Sequence, residues 1–222
     1  MEGAPAVEEP RDRYVGSRNQ DGLAEGQGKL TYANGEYYEG QFLNDQQDGF
    51  GTHKWPSGAE YVGEWIAGVR QGLGKYTFPD GATFTGRFKG EKDGSIVREG
   101  ARGEYSWING EAYRGGFKAD QREGKGIFVW SSGRSDLCTF SKGLPKGEGV
   151  RWSADRQTAW RLVDGKQLEE MDLATAEAER AAFEEACEAA CAKEQAAADK
   201  AAADRAAKLA KEAAKKNKKK KR

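Results

Sequence analysis

Rings and apolar residues alternate with polar ones through the first two thirds of the chain. Leu30 and Tyr32, His53 and Trp55, Tyr76 and Phe78, Tyr105 and Trp107, and Phe128 and Trp130 each stand two positions apart. A period of two puts both members of a pair on one face of a β-strand. Each pair runs into a turn dipeptide: Asn34-Gly35, Ser57-Gly58, Asp80-Gly81, Asn109-Gly110 and Ser132-Gly133. Glycine there accepts the positive φ that a tight reversal needs. Beyond the turn the alternation resumes, as Tyr38-x-Gly40-x-Phe42, Tyr61-x-Gly63-x-Trp65, Phe84-x-Gly86-x-Phe88 and Tyr113-x-Gly115-x-Phe117. The pattern predicts one β-hairpin per unit, and the middle glycine leaves room for a neighbouring ring or lets the sheet bend.

The units repeat. Gly28, Gly51, Gly74, Gly103, Gly126 and Gly149 are spaced by 23, 23, 29, 23 and 23 residues, and two further glycine series keep the same phase. The surplus of six residues falls between Phe88 and Gly103. A lone hairpin is marginal in water, whereas stacked hairpins bury one another's rings. The predicted fold is therefore mainly β: an elongated, twisted, single-layer antiparallel sheet of stacked β-hairpins, about 60 Å long, followed by a long C-terminal α-helix.

That helix is read from a change of composition. All 30 glycines and all five prolines lie at or before Gly165, and the 57 residues after it hold 20 alanines. Helix formers replace turn formers, which marks a boundary. The expected organisation is a disordered segment at 1–13, the hairpin array at 14–165, an Ala/Glu/Lys-rich helix at 166–214 and a basic tail at 215–222. Residues 166–194 carry nine acids and three bases, and residues 195–222 three acids and eleven bases, a gradient that complements the helix dipole. Phe183, Cys187, Ala190 and Cys191 share one helix face, expected to dock either on the aromatic face of the chain's own array or on a filament partner. Lys215, Lys216, Lys218, Lys219, Lys220, Lys221 and Arg222 form a run that attracts acidic surfaces such as anionic lipid or acidic protein, or serves as a targeting or solubilising tail.

Equal counts of 36 bases and 36 acids give no net charge, so specific nucleic-acid binding is not expected. The first residues hold no apolar core of a secretory signal, and no run is long and apolar enough to span a membrane. Three cysteines do not make a disulfide framework, so reduced thiols in an intracellular setting are expected. The single histidine, His53, sits in a ring slot and reads as packing. Cys187 and Cys191 lack the other ligands a zinc site needs. The Gly-x-Gly pairs lack the strand-to-helix setting of a phosphate loop. No catalytic residue, cofactor or metal is expected.

Tyr61-Val62-Gly63-Glu64-Trp65, followed by Gly72-Leu73-Gly74-Lys75-Tyr76-Thr77-Phe78-Pro79-Asp80-Gly81, closely resembles the MORN repeat, as does Tyr38-Glu39-Gly40-Gln41-Phe42 with Gly49-Phe50-Gly51. The resemblance covers roughly residues 14–158, about six units. It implies an open hairpin array acting as a protein-interaction scaffold, of the kind found in cilia, flagella and other cytoskeletal assemblies. The sixth unit departs from the pattern. Asp136 and Cys138 replace an aromatic and a glycine, Arg151 and Ser153 stand in ring slots, and Arg156 stands in the turn-glycine slot. A turn of altered type is expected there, because an arginine at positive φ is costly. The function expected is a non-catalytic scaffold in the cytoplasm, in a cilium or flagellum axoneme or another cytoskeletal assembly. It would grip helical or extended protein segments through the exposed parts of Tyr38, Phe42, Trp55, Tyr61, Trp65, Phe84, Phe88, Trp107, Tyr113, Phe117 and Trp130. The loop at 90–100, with Ile96 and Val97, is a further possible contact. The alternatives are a peripheral protein holding anionic phospholipid through the array and tail, and an accessory subunit of a lipid-modifying enzyme.

Overall fold

The computed structural model describes residues 12–90 and 95–220. The chain forms one open antiparallel sheet of 14 strands in strict chain order, then one helix. The strands are β1 (Arg13–Arg18), β2 (Ala24–Thr31), β3 (Tyr37–Leu43), β4 (Gln46–Lys54), β5 (Glu60–Ile66), β6 (Val69–Thr77) and β7 (Thr83–Gly90). They continue with β8 (Ile96–Ser106), β9 (Ala112–Lys118), β10 (Gln121–Val129), β11 (Ser135–Ser141), β12 (Leu144–Trp152), β13 (Ala159–Val163) and β14 (Lys166–Met171), and the helix is α1 (Leu173–Lys220).

Two kinds of turn alternate along the array. The wider kind carries the glycine seen in the sequence. Tyr32 N donates to Glu36 O, Gly35 N donates to Tyr32 O, and Gly35 stands at φ 88°. The second kind joins one unit to the next through two residues. Both are at positive φ in Asn44-Asp45, Ala67-Gly68, Ala119-Asp120, Lys142-Gly143 and Asp164-Gly165. That is the type I′ geometry, whose twist matches that of the flanking strands.

Two expectations about the ends need correction. Residues 166–171 form β14, not the start of the helix, because the Asp164-Gly165 turn sends the chain back along β13 with Ala159 opposite Met171. Helix formers here yield to strand pairing. The helix opens after Asp172, whose carboxylate accepts from Thr175 N at 2.9 Å, an N-cap. It then runs through residue 215 to Lys220, so no separate tail begins at 215. The expected disordered segment falls on residues 1–11, outside those described, apart from Asp12 and from Arg13, which opens β1. Residues 91–94, Lys221 and Arg222 are also outside them. Arg156 adopts φ 60°, so its slot keeps a left-handed residue despite the side chain. The turn around it is altered, as expected: Ser153 N donates to Thr158 O, one residue beyond the closure seen in the other units.

The helix lies on the face of the sheet opposite the rings. Ala176, Phe183 and Cys187 are buried with Ile127, Leu137, Val150, Trp152 and Ala159. Phe128 and Cys138, next in sequence to Ile127 and Leu137, belong to the aromatic cluster on the other side. The aromatic face expected as a dock is thus not the one used. From its packed start the helix crosses the array diagonally, pairing Glu177 with Arg156, Glu184 with Arg114, Glu194 with Arg87, and Arg205 with Asp48. The rise from residue 177 to 205, about 42 Å, matches the width of the strands crossed, about 40 Å.

Candidate ring-face groove

The ring face is built on a line of glycines running across the strands. Gly28, Gly40, Gly51, Gly63, Gly74 and Gly86 pair successively from β2 to β7. Gly103, Gly115 and Gly126 continue the line from β8 to β10. Each hairpin lays one ring over it. A Cβ at Gly51 would clash with the ring of Tyr38, at Gly74 with that of Tyr61, and at Gly126 with that of Tyr113, within 2.6 Å of the ring in each case. The phenol then donates to a carbonyl three residues on in its own strand: Tyr38 to Gln41 O at 2.9 Å, Tyr61 to Glu64 O at 3.1 Å and Tyr113 to Gly116 O at 3.1 Å. Burial pushes all three phenols well above their ordinary pKa. The glycines therefore make room for rings.

Along this line the rings meet edge to face. Tyr14, Phe42, Tyr38, Trp65, Tyr61, Phe88, Phe84, Phe117, Tyr113 and Phe140 form an unbroken chain with centroids 5.0–5.3 Å apart and planes at 77–89°. Each such contact is worth about 0.5–1.5 kcal/mol beyond burial. The ladder also seals itself. Tyr38, Phe42, Tyr61, Trp65, Phe84, Phe88, Tyr113 and Phe117 are at most 6% exposed. These eight expected contact rings are core. Each ring is covered by the rings of the adjoining repeats, so no second layer is needed to bury them. Ile96 also packs against this core.

A second row of rings, nearer the wider turns, stays partly exposed except at His53 and Phe128, which are buried. Tyr32, His53, Trp55, Tyr76, Phe78, Tyr105, Trp107, Phe128 and Trp130 follow one another at 4.2–5.9 Å. Of the eleven expected contact rings, Trp55, Trp107 and Trp130 belong here, partly buried. His53 is itself buried, stacked on Trp55, with Nε2 2.9 Å from Glu36. Burial holds its pKa below the ordinary value, against the raising effect of Glu36.

Between the two rows stands a column of side chains. Gln47 lies opposite Phe42, Arg70 opposite Trp65, Arg98 opposite Phe88, Arg122 opposite Phe117 and Pro145 opposite Phe140. The guanidiniums face both rows. Arg70 Cζ is 5.5 Å from the Trp55 ring and 5.6 Å from Tyr61. Arg98 is 5.6 Å from Phe84 and 5.4 Å from Tyr105. Arg122 is 4.7 Å from Phe140 and 5.6 Å from Phe128. Over the C-terminal half the rows bound a trough of about 890 Å³, lined by Trp107, Arg122, Trp130 and Arg134 among others. The arginine column had a signal in the sequence, a residue five places after the last ring of most units (Phe42, Trp65, Phe117, Phe140), which alternation of apolar residues does not reveal.

The departures at the C-terminal end explain one another. Asp136 and Arg151 are cross-strand neighbours, and Arg151 holds Asp136 with two bonds of 2.7 Å. Trp130 Nε1 also donates to Asp136, at 3.1 Å. With a carboxylate where the ring would be, nothing roofs the glycine line, and Cys138 and Leu162 occupy its last positions opposite Gly149. Burial pushes the Cys138 thiol up to about 11. Ala190 and Cys191, of the expected helix face, are partly exposed, while Phe183 and Cys187 are buried. Among the described residues no group of three or more His, Cys, Asp or Glu could hold a metal ion. Among the described residues no helix is long and apolar enough to cross a membrane.

The MORN repeat matches five segments, residues 20–37, 38–60, 61–83, 113–133 and 139–158. The unmatched stretch 84–112 holds the six-residue surplus, and the divergent last unit matches only from residue 139, beyond Asp136 and Cys138. No curated protein matches the chain. Among solved structures, the chain is similar to the TCP domain of SAS-4 (dCPAP) from Drosophila melanogaster, solved in complex with a proline-rich motif of Ana2 (dSTIL). Identity is 13% over 78% of this chain and 97% of that one, with a TM-score of 0.37. It is also similar to the TCP10 domain of Danio rerio CPAP, at 14% identity over 70% and 93% of the two chains and a TM-score of 0.20.

Proposed function

We propose that the protein is a non-catalytic scaffold that holds a partner polypeptide along the half-exposed ring row. It acts within a cytoskeletal assembly such as a cilium or flagellum, the setting that MORN-repeat resemblance suggests. The carrying observation is the pair of rows: one is saturated with its own contacts, and the other runs parallel to it with Trp55, Trp107 and Trp130 open on one side. The pitch favours an extended partner. One repeat is two strands, about 9.6 Å. A polyproline-type turn of three residues advances about 9.3 Å, whereas seven helical residues advance about 10.5 Å. Over five repeats the extended segment stays in register with the rings and a helix drifts by most of a residue spacing per repeat.

Trp107→Ala with Trp130→Ala in the full chain tests this. Capture of protein partners from the native cell should fall about tenfold or more, as expected for aromatic anchors. A control at the exposed Phe50, on the opposite face, should capture as wild type. Unchanged capture by the double variant would refute the reading. Binding to anionic vesicles that persists at high salt would favour a peripheral membrane role instead.

A further inference from the structure

The arginine column is costly where it stands. A guanidinium between two rows of rings gives up water, and a carboxylate normally repays that. Arg98 is repaid, because Asp120 Oδ1 accepts from its Nε at 2.8 Å. Arg151 is repaid by Asp136. Arg70 and Arg122 have no carboxylate partner among the described residues. The groups acting on Arg70 are Tyr76 and Tyr61, and those on Arg122 are Tyr113 and Cys138. Burial holds both guanidiniums below their ordinary pKa. Arg122 spends one N–H on Gly143 O at 2.7 Å, leaving four of its five donors. Arg134, over Trp130 with its Nε buried and unpartnered, joins Arg122 in the C-terminal trough, while Arg70 stands farther along the column on β6. The acids lining the trough are Asp120 and Asp136, both already paired, Asp164, which accepts from Gly147 N, and Glu111 at the rim. The ring face therefore carries positive charge without a carboxylate partner at Arg70 on β6 and at Arg122 and Arg134 in the trough.

We infer that the ring-face groove recognises an acidic extended segment of a protein partner, with two carboxylates six residues apart received by Arg70 and Arg122. This rests on the proposed docking along the half-exposed rings and adds the partner's chemistry. The spacing follows from the fold. Arg70 lies on β6 and Arg122 on β10, four strand intervals or about 19 Å apart. Six residues of a polyproline-type chain span about 18.6 Å, and three per turn return the side chain to the same side. In an α-helix the same distance needs about 13 residues. Carboxylates held between rings form charge-assisted bonds stronger than they would in water. The rings supply contact area and the two arginines set register and direction.

The test is fluorescence anisotropy of the full-length protein with labelled 15-residue proline/alanine peptides. One carries Glu at positions 5 and 11, one carries Glu at 5 and 9, and one carries Gln in place of both Glu. The six-spaced peptide should bind about tenfold or more tighter than either of the others, and its affinity should fall as salt rises. Arg70→Gln and Arg122→Gln should each remove most of that advantage for the six-spaced peptide while leaving the Gln peptide's affinity unchanged. A thermal melt of each variant separates loss of fold from loss of recognition. If all three peptides bind alike and Trp107→Ala weakens all of them, acid recognition fails and ring-face docking stands. If Trp107→Ala changes none, the docking itself fails. Equal binding of the four-spaced and six-spaced peptides overturns the register.

Discussion

The sheet has two faces, and they are closed by opposite means. The ring face is covered by the residues that define the repeat. Every unit but the last contributes a ring over the glycine line and takes cover from the next, so closure is intrinsic and extends with the array. The other face has no such device. It is strapped by a single helix that packs tightly at one end, through Phe183, Cys187 and Trp152. Farther along, it stands over a gap of about 770 Å³ lined by Ala198, Ala202 and Leu209, and it is held there by Arg205 Nη1 on Asp48 at 2.9 Å. Partly exposed ion pairs contribute little, about 0–1 kcal/mol. A repeat that buries its own signature residues leaves them unavailable to partners. On the proposed reading, recognition then falls to the second ring row and the arginine column.

Substitutions on the two faces should separate these modes of closure. Tyr61→Ala removes a fully buried ring, two edge-to-face contacts and a phenol bond, and should cost about 3–5 kcal/mol, or more because the gap interrupts the ladder. Chemical denaturation followed by the β signal measures it, and a loss under 1 kcal/mol would mean the ladder is not the core. Phe183→Ala also removes a buried ring but should cost about 3 kcal/mol, felt mainly by the helix. Amides of residues 176–191 should exchange faster while those of β3 to β7 keep their protection. Equal acceleration in both would show the two faces to be one cooperative unit.

How much of this was legible follows from which interactions are local. Strand alternation, the turn glycines and the 23-residue phase are set within a unit, so the hairpins, their order and the open sheet could be read directly. Which side of each ring ends up covered depends on the next unit. Tyr38 and Trp55 look equally available in sequence, yet one is sealed under its neighbours and the other is not. The pairing of Asp136 with Arg151 was invisible for the same reason: two departures fifteen residues apart appear independent until the register brings them together. Strand β14 was hidden by composition, because Gln167, Leu168, Glu169 and Glu170 favour helix. Only the Asp164-Gly165 dipeptide signalled the reversal that makes them an edge strand.

His53 offers a pH-dependent version of the comparison. It occupies a ring slot, yet its folded pKa is depressed below 6.5, first by burial. Glu36 beside it is depressed below 4.5, first by its bond from Asn34 and then by His53. The unfolded chain therefore binds more protons than the native one, starting near pH 6.5 for His53 and near 4.5 for Glu36. Stability is full above those values and is lost as pH falls through the folded ones. His53→Phe keeps a ring in the slot and removes the first step. Between pH 7 and pH 5 its melting temperature should fall less than that of the wild type, by about 2–4 °C. Parallel curves would mean the imidazole titrates as in the unfolded chain.

The smallest expected effect is a gain. Tyr14, Tyr38, Tyr61 and Tyr113 each tie their ring to a carbonyl three residues ahead. Phe84 holds the same place over Gly86 and Gly103 without a hydroxyl. It lies beside the six-residue surplus, where the register of β7 and β8 shifts between Thr85 and Arg87. If ring closure is a property of each unit, Phe84→Tyr should add the missing bond to the Arg87 carbonyl and stabilise the fold by about 0.5–1 kcal/mol, a rise of about 2–4 °C per kcal/mol. If the insertion has moved that carbonyl out of line, the added hydroxyl is buried without a partner and the melting temperature falls instead. The sign of this one shift decides whether the interrupted unit closes as its neighbours do or only resembles them in outline.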